Sequence, residues 1–263
     1  MPRPPRWIRS DIVDGISTIN ISSWKYFNDF VDQELIDYRS YIFRGHAQDD
    51  WPLYSTLDRL LLKRSALKKR GLRGLHLRRF RFATRGRRGI NPPVMESDNS
   101  WWALGQHHGL ASPLLDWTTS PYVAAYFAFI DENTRDDTGF RAIWALYRPS
   151  VNDKNKDIIK KTKKRDKPNI LDIYLPMSHE NPRLVTQGGL FTRIDGMSVE
   201  DWVRNKFKGN TENYVLFKMT VPSKDRDLCL RSLNRMNINH LSLFPDLYGA
   251  SIYCNTDLII KNY

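Results

Sequence analysis

Cysteine is scarce in this chain of 263 residues. Cys229 and Cys254 are its two cysteines, too few for a disulfide scaffold and without the paired spacing of a zinc site. Both read as ordinary thiols of a reducing cytoplasm. Long apolar runs are also missing. The longest, Val123-Ala-Ala-Tyr-Phe-Ala-Phe-Ile130, falls far short of the roughly 20 residues that cross a bilayer. The amino end, Met1-Pro-Arg-Pro-Pro-Arg-Trp7, has charge but no apolar stretch behind it, so no secretory signal is expected. The expectation is a soluble, cytoplasmic protein with no membrane partner. No glycine-rich loop leads into Lys-Ser/Thr, which excludes phosphate-loop kinases, and dinucleotide-fold signals fail as well. There is no internal repeat, and no Pro/Gly/Ser-rich linker divides two self-sufficient apolar patterns. One domain over 1–263 is expected, with its core at about 20–255.

At 41% apolar and 12% aromatic residues the chain can bury a full core. Its charge of +12 is concentrated: Arg59 to Met95 contains thirteen Lys or Arg and no Asp or Glu, leaving the rest nearly neutral. A local excess of this kind attracts polyanions. Arg78, Arg79, Arg81, Arg85, Arg87 and Arg88 are the candidate contacts to RNA or DNA, with a solvated helical face as the alternative reading.

Local patterns predict the elements. Ser22-Ser23 can cap an amphipathic helix from Trp24 to Val31. Tyr38 to Phe43 reads as a strand ending at Arg44, with a loop from Gly45. One or two helices interrupted near Gly71 and Gly74 are expected over 58–83, followed by a loop over 86–100 and a short helix from Trp101. Ser120 and Pro121 open a buried helix over 122–130. Strands are predicted at 140–147, 170–175 and 214–221, and helices at 225–236 and 241–252. Lysine-rich 153–167 reads as an exposed insertion. Gly188-Gly189 suggests a bulge or a close backbone approach beside Gln187.

Tyr41-Ile-Phe-Arg-Gly-His46 followed by Gln106-His-His-Gly-Leu-Ala-Ser-Pro-Leu-Leu-Asp-Trp-Thr-Thr-Ser-Pro121 resembles the FRG-domain family. Asn181-Pro-Arg-Leu-Val-Thr-Gln-Gly-Gly-Leu-Phe191 and Asn237-Ile-Asn-His-Leu-Ser-Leu-Phe-Pro-Asp-Leu-Tyr-Gly249 extend the likeness. One departure is Ala111-Ser112-Pro113, where the family usually has Pro-Thr-Arg. Members resemble bacterial toxin or phage-defence proteins, and the motif order is similar to that of ADP-ribosyltransferases. The strand patterns predict a mixed or antiparallel sheet in the second half, flanked by helices, and the resemblance implies an α+β, ADP-ribosyltransferase-like fold. It implies NAD as substrate, a nucleic-acid or protein acceptor, and an antitoxin or regulatory partner.

Under that resemblance Arg44, Thr118-Thr119-Ser120 and Gln187 occupy the three motif positions. Arg44 would grip the diphosphate, the hydroxyls would fix the sugar, and Gln187 would hold the ribose where transferases use Glu. Asp116 and Glu180 are then the alternative acids. His46, Gln106, Thr119 and Tyr126 are expected cofactor contacts; Tyr122 and Tyr126 share one helical face, and filling the core is the alternative role for both. His107 is a candidate base. Adjacent side chains in an extended segment point opposite ways, so only one of His107 and His108 faces the site. Two alternatives stay open. One is a non-catalytic module that binds nucleic acid or nucleotide. The other is a metal-dependent nuclease or hydrolase using His107, His108 and Asp116, although no metal-ligand spacing supports a metal site.

Overall fold

A computed structural model describes residues 5–131, 139–163, 165–176 and 182–263. In chain order the elements are β1 Trp7–Arg9, β2 Ile16–Ile21, α1 Trp24–Glu34, β3 Tyr41–His46, α2 Thr56–Leu61, α3 Ala66–Ala83, α4 Asp98–His107, β4 Leu114–Thr118, α5 Pro121–Phe129, β5 Phe140–Tyr147, α6 Arg148–Lys161, β6 Asp172–Tyr174, α7 Pro182–Thr186, β7 Gly189–Arg193, α8 Val199–Lys206, β8 Leu216–Pro222, α9 Arg226–Arg235, α10 His240–Leu243 and α11 Leu247–Ile259. The strands form one open mixed sheet in the order β1-β2-β8-β5-β3-β4-β7-β6. The β2–β8 pair is parallel and the other pairs are antiparallel. The fold is therefore α+β, with helices flanking the sheet.

Alternation along the central strands separates two cores. Phe43, Ile143, Phe217 and Met219 pack with α1, α5 and α9 on one face. Ile42, Trp144, Leu146 and Leu216 join Trp117 and Trp202 on the other. With both faces covered, these strands read as near-continuous apolar runs.

Helix α5 lies against β3 so closely that Gly45 admits no side chain. A Cβ there would stand 1.9 Å from the Ala124 carbonyl oxygen and 2.6 Å from the Ala128 nitrogen. Ser120 caps this helix by accepting from the Val123 N–H at 3.3 Å, as its sequence predicts.

Several expectations need correction. The sheet draws strands from the whole chain, because β2, β3 and β4 all precede its second half. Strand β3 runs on through Arg44 and Gly45 to His46, held by six paired positions on β5. Helix α3 passes Gly71 and Gly74 without a break, since both face open space. Residues 153–161 belong to α6, anchored by buried Val151 and by Asn155, whose side chain brackets both backbone groups of Leu171. The helix expected over 241–252 divides at Phe244-Pro245. There Asp246 caps α11, and Asn239 forms a capping box at α10. In α1 the Ser23 side chain makes no cap bond; Asp225 instead accepts from the Trp24 N–H at 2.7 Å.

Candidate functional site

Strands β3 and β4 share a single paired position, Phe43 opposite Thr118. Beyond it they part, and Arg44 reaches across the opening. Its Nη1 donates to the Asp116 carbonyl at 2.8 Å and lies 3.6 Å from the Asp116 carboxylate. Its Nε donates to His46 Nε2 at 3.0 Å, and His46 Nδ1 donates to the Trp51 carbonyl at 3.1 Å. The carbonyl of Trp51 requires the proton on Nδ1, so Nε2 is a lone pair and the ring is neutral. Burial and the adjacent Arg44 charge push the His46 pKa down to about 3. Burial also lowers the Arg44 pKa, while Asp116 opposes that shift.

The support continues outward. Ser112 donates its hydroxyl to Gln106 Oε1, and Gln106 Nε2 donates to Asp116 Oδ1 at 2.6 Å. Ser112 also accepts from the Leu114 N–H at 3.0 Å. Ser112, Gln106, Asp116, Arg44 and His46 thus form one hydrogen-bonded chain. Arg44 Nη2 has no partner among the described residues.

Strand β7 brings the third motif alongside. Thr118 donates to the Gln187 carbonyl at 2.6 Å and accepts from the Ser120 N–H at 3.1 Å, while the Thr119 N–H donates to Gly188 O at 3.0 Å. Gly188 has φ +55°, and a Cβ there would meet the Thr119 hydroxyl at 2.7 Å. Only glycine closes this turn without strain. The Gln187 amide is oriented chemically: its Nε2 donates to Leu243 O at 3.1 Å. Its Oε1 therefore turns the other way and has no partner among the described residues.

Arg44, Gln106, His107, Thr118 and Gln187 all line one cleft of about 340 Å³, walled by Phe127 and Phe244, which is within the usual range for small-molecule sites. His107 ends α4 and His108 is its C-cap, so the pair is helical rather than extended. The two rings meet edge to face at 4.8 Å. Partial burial, then His108 and Arg183, lower the His107 pKa, which favours a neutral ring with a lone pair.

Arg183, given no role from sequence, also lines the cleft. It donates twice to Asp246 Oδ2 and lies 5.1 Å over the Phe244 ring. That contact joins the two late motif blocks, with Arg183 in one and Asp246 in the other. Ser112 was missed as well, although it stands where the family pattern has a hydroxyl residue.

Other expected site residues lie elsewhere. Tyr126 is fully buried, with its hydroxyl bonded to His240 Nδ1, and packs the core. Tyr122 lies edge-on to Phe27. Ser120 caps α5, Thr119 braces the Gly188 turn, and His46 positions Arg44 from behind. Glu180 lies outside the described residues. Among the described residues no cluster of three His, Cys, Asp or Glu could hold a metal. No helix among them is long and apolar enough to cross a membrane.

Of the basic-region arginines, Arg78 and Arg79 are exposed and have no partner among the described residues. Arg85 stacks on Phe82 at 3.9 Å. Arg81 and Arg88 flank the Trp101 ring at 5.3 and 5.1 Å, and Arg87 donates to Ala83 O at 3.0 Å.

This is an α+β protein whose mixed sheet opens into a polar cleft centred on a braced arginine. Residues 39–137 of the chain match the FRG domain. That span holds β3, α4, β4 and α5, and with them Arg44, Gln106 and Thr118. Gln187 and Arg183 lie beyond it. No curated protein and no solved structure matches the chain.

Proposed function

We propose that the cleft is an ADP-ribosyltransferase-like site that takes NAD as substrate, in a toxin or phage-defence protein. The supporting observation is the convergence of Arg44, the Thr118-Thr119-Ser120 segment and Gln187. They lie on or beside the three neighbouring strands β3, β4 and β7, far apart in sequence. Arg44 presents Nη2 as a charged donor to a diphosphate oxygen. Gln187 presents Oε1 to accept from a ribose hydroxyl. Phe127 and Phe244 offer aromatic walls to a planar ring. In the reaction the bond between nicotinamide and ribose C1′ breaks, and its electron pair leaves with nicotinamide. A nucleophilic oxygen or nitrogen of the acceptor bonds to C1′, and His107 takes the proton it sheds.

A second reading follows from Gln187 itself. An amide supplies no negative charge to a cationic sugar, and Asp116 is shared between Arg44 and Gln106. On that reading the cleft binds a nucleotide without turning it over.

The test is nicotinamide release from NAD by wild-type and Arg44→Ala protein, with and without RNA, DNA and cell extract. Loss of an electrostatic contact to the reacting substrate should lower release by roughly 100-fold, with the variant still folded by circular dichroism. Release by folded Arg44→Ala at the wild-type rate would overturn the assignment. No release by wild type in any mixture, with NAD still raising its melting temperature, would leave the binding reading.

A further inference from the structure

We propose that the outward face of α3 and the loop after it bind single-stranded nucleic acid. The inner face of α3 packs against the body of the protein. Leu77 is buried, His76 Nε2 bonds to Ala111 O at 3.1 Å, and Arg73 pairs with buried Asp58. The opposite stripe, at helical spacings of three and four, reads Lys68, Leu72, Leu75, Arg79, Phe82. Arg78 and Arg85 border it.

Two features select the partner. The first is charge: Arg59 to Met95 has thirteen cationic and no anionic residues, and Arg78 and Arg79 have no partner among the described residues. A phosphate backbone supplies the missing charge. The second is the exposed ring. Phe82 is 69% exposed, with the Arg85 guanidinium 3.9 Å from its centroid. An aromatic face beside a planar cation offers an unpaired base a stacking surface, whereas a duplex keeps its base faces inside. A bilayer suits the stripe less well, because Lys68 and Arg79 interrupt the apolar surface that an interfacial helix needs. Arg81 and Arg88 take a different part: they hold Trp101 of α4 between them and fix the loop. Helix α4 carries Trp101 near its start and His107 at its end, about 9 Å apart along the axis, so this surface and the cleft flank the same short helix.

The experiment is fluorescence anisotropy with a labelled 12-nucleotide oligouridylate, a duplex of equal length and anionic phospholipid vesicles, over a range of salt. Phe82→Ala should weaken oligonucleotide binding about tenfold without changing its salt slope. Replacing Arg78, Arg79 and Arg85 together by Ala should reduce that slope by about 2, at roughly 0.7 per phosphate contact. A charge-matched control, Lys160→Ala with Lys161→Ala and Lys163→Ala, should leave both unchanged. The proposal is overturned if Phe82→Ala binds as wild type, if the duplex binds as tightly as the single strand, if the lysine control flattens the slope equally, or if only vesicles bind. The assay contains no NAD, so its failure leaves the cleft chemistry standing, and absent nicotinamide release leaves this surface standing.

Discussion

Lowering the pH from 7.5 to 5 should remove about 4 kcal/mol of folding stability through two buried histidines, His46 and His240. His46 is 5% exposed and accepts from Arg44 Nε. His240 is 8% exposed, bonds through Nδ1 to the Tyr126 hydroxyl and stacks on Phe244 at 4.6 Å. Burial, reinforced by a nearby arginine in each case, pushes their pKa values down to about 3 and about 4. An unfolded histidine takes up its proton near pH 6.5, and these folded rings do not. Between their folded values and 6.5 the unfolded chain holds more protons, so stability falls as pH falls. The contribution is complete above about 6.5 and declines by about 1.4 kcal/mol per pH unit for each ring. At pH 5 that amounts to about 2 kcal/mol apiece, a large part of the 5–15 kcal/mol typical of a folded protein.

Carboxylates do not imitate this. Asp195, held low chiefly by Arg193 and Lys167 against the cost of burial, loses stabilisation only below the ordinary carboxylate range. Glu200, raised by burial, acts in the opposite sense. Urea denaturation at pH 7.5, 6.5, 5.5 and 5.0 would measure the effect in wild type, His46→Gln and His240→Asn. Glutamine can still accept from Arg44 Nε but has no proton to gain. Each variant should lose about 2 kcal/mol less than wild type across the interval. Equal losses in wild type and both variants would refute the argument.

Two further substitutions probe the frame of the cleft. Gly45→Ala forces a methyl against the backbone of α5 at both Ala124 and Ala128. It should cost at least about 3 kcal/mol and lower the melting temperature by roughly 10 °C; a melting temperature unchanged within error would mean that β3 and α5 are not in this contact. Arg73→Ala strands the Asp58 carboxylate, whose side chain is 2% exposed, with Ser55 as its remaining side-chain partner. Urea denaturation should show a loss of about 3–5 kcal/mol, partly restored by Asp58→Ala in the same chain, and an undiminished midpoint in the single variant would contradict a buried pair.

Sequence patterns identified the elements whose signals are local. Phe140–Tyr147 is a run of aromatic and aliphatic residues interrupted at Arg141, and Ser120-Pro121 opens α5 with a hydroxyl cap and a first-turn proline. They failed where tertiary context decides. Strand β4 is the short Leu114-Leu-Asp-Trp-Thr118, and its pairing to β7 joins residues about 75 apart. Lysine-rich α6 reads as solvated surface until Val151 and Asn155 are seen to anchor it. The same distinction separates the site residues. Arg44, Gln106, His107, Thr118 and Gln187 were identifiable as residues of one motif set and do share the cleft. Helical spacing shows that Tyr122 and Tyr126 share a face but not whether that face meets a cleft or a core, and the structure decides for the core at Tyr126. His46, an expected cofactor contact, has both ring nitrogens committed, to Arg44 and to the Trp51 carbonyl, and so braces Arg44 instead.

The cleft presents few polar atoms because the remainder of each group is engaged elsewhere. Arg44 spends Nε on His46 and Nη1 on Asp116, which leaves Nη2. Gln187 spends Nε2 on Leu243, which leaves Oε1. The first is a donor that cannot accept, and the second is an acceptor that cannot donate. On the proposed reading a diphosphate takes the donor and a ribose hydroxyl the acceptor, and a glutamate at 187 would present an acceptor only by setting its second oxygen against the Leu243 carbonyl. The amide therefore fits a wall that offers an acceptor on its far side. The absence of charge at this position follows from the architecture of α10 as much as from any chemistry in the cleft.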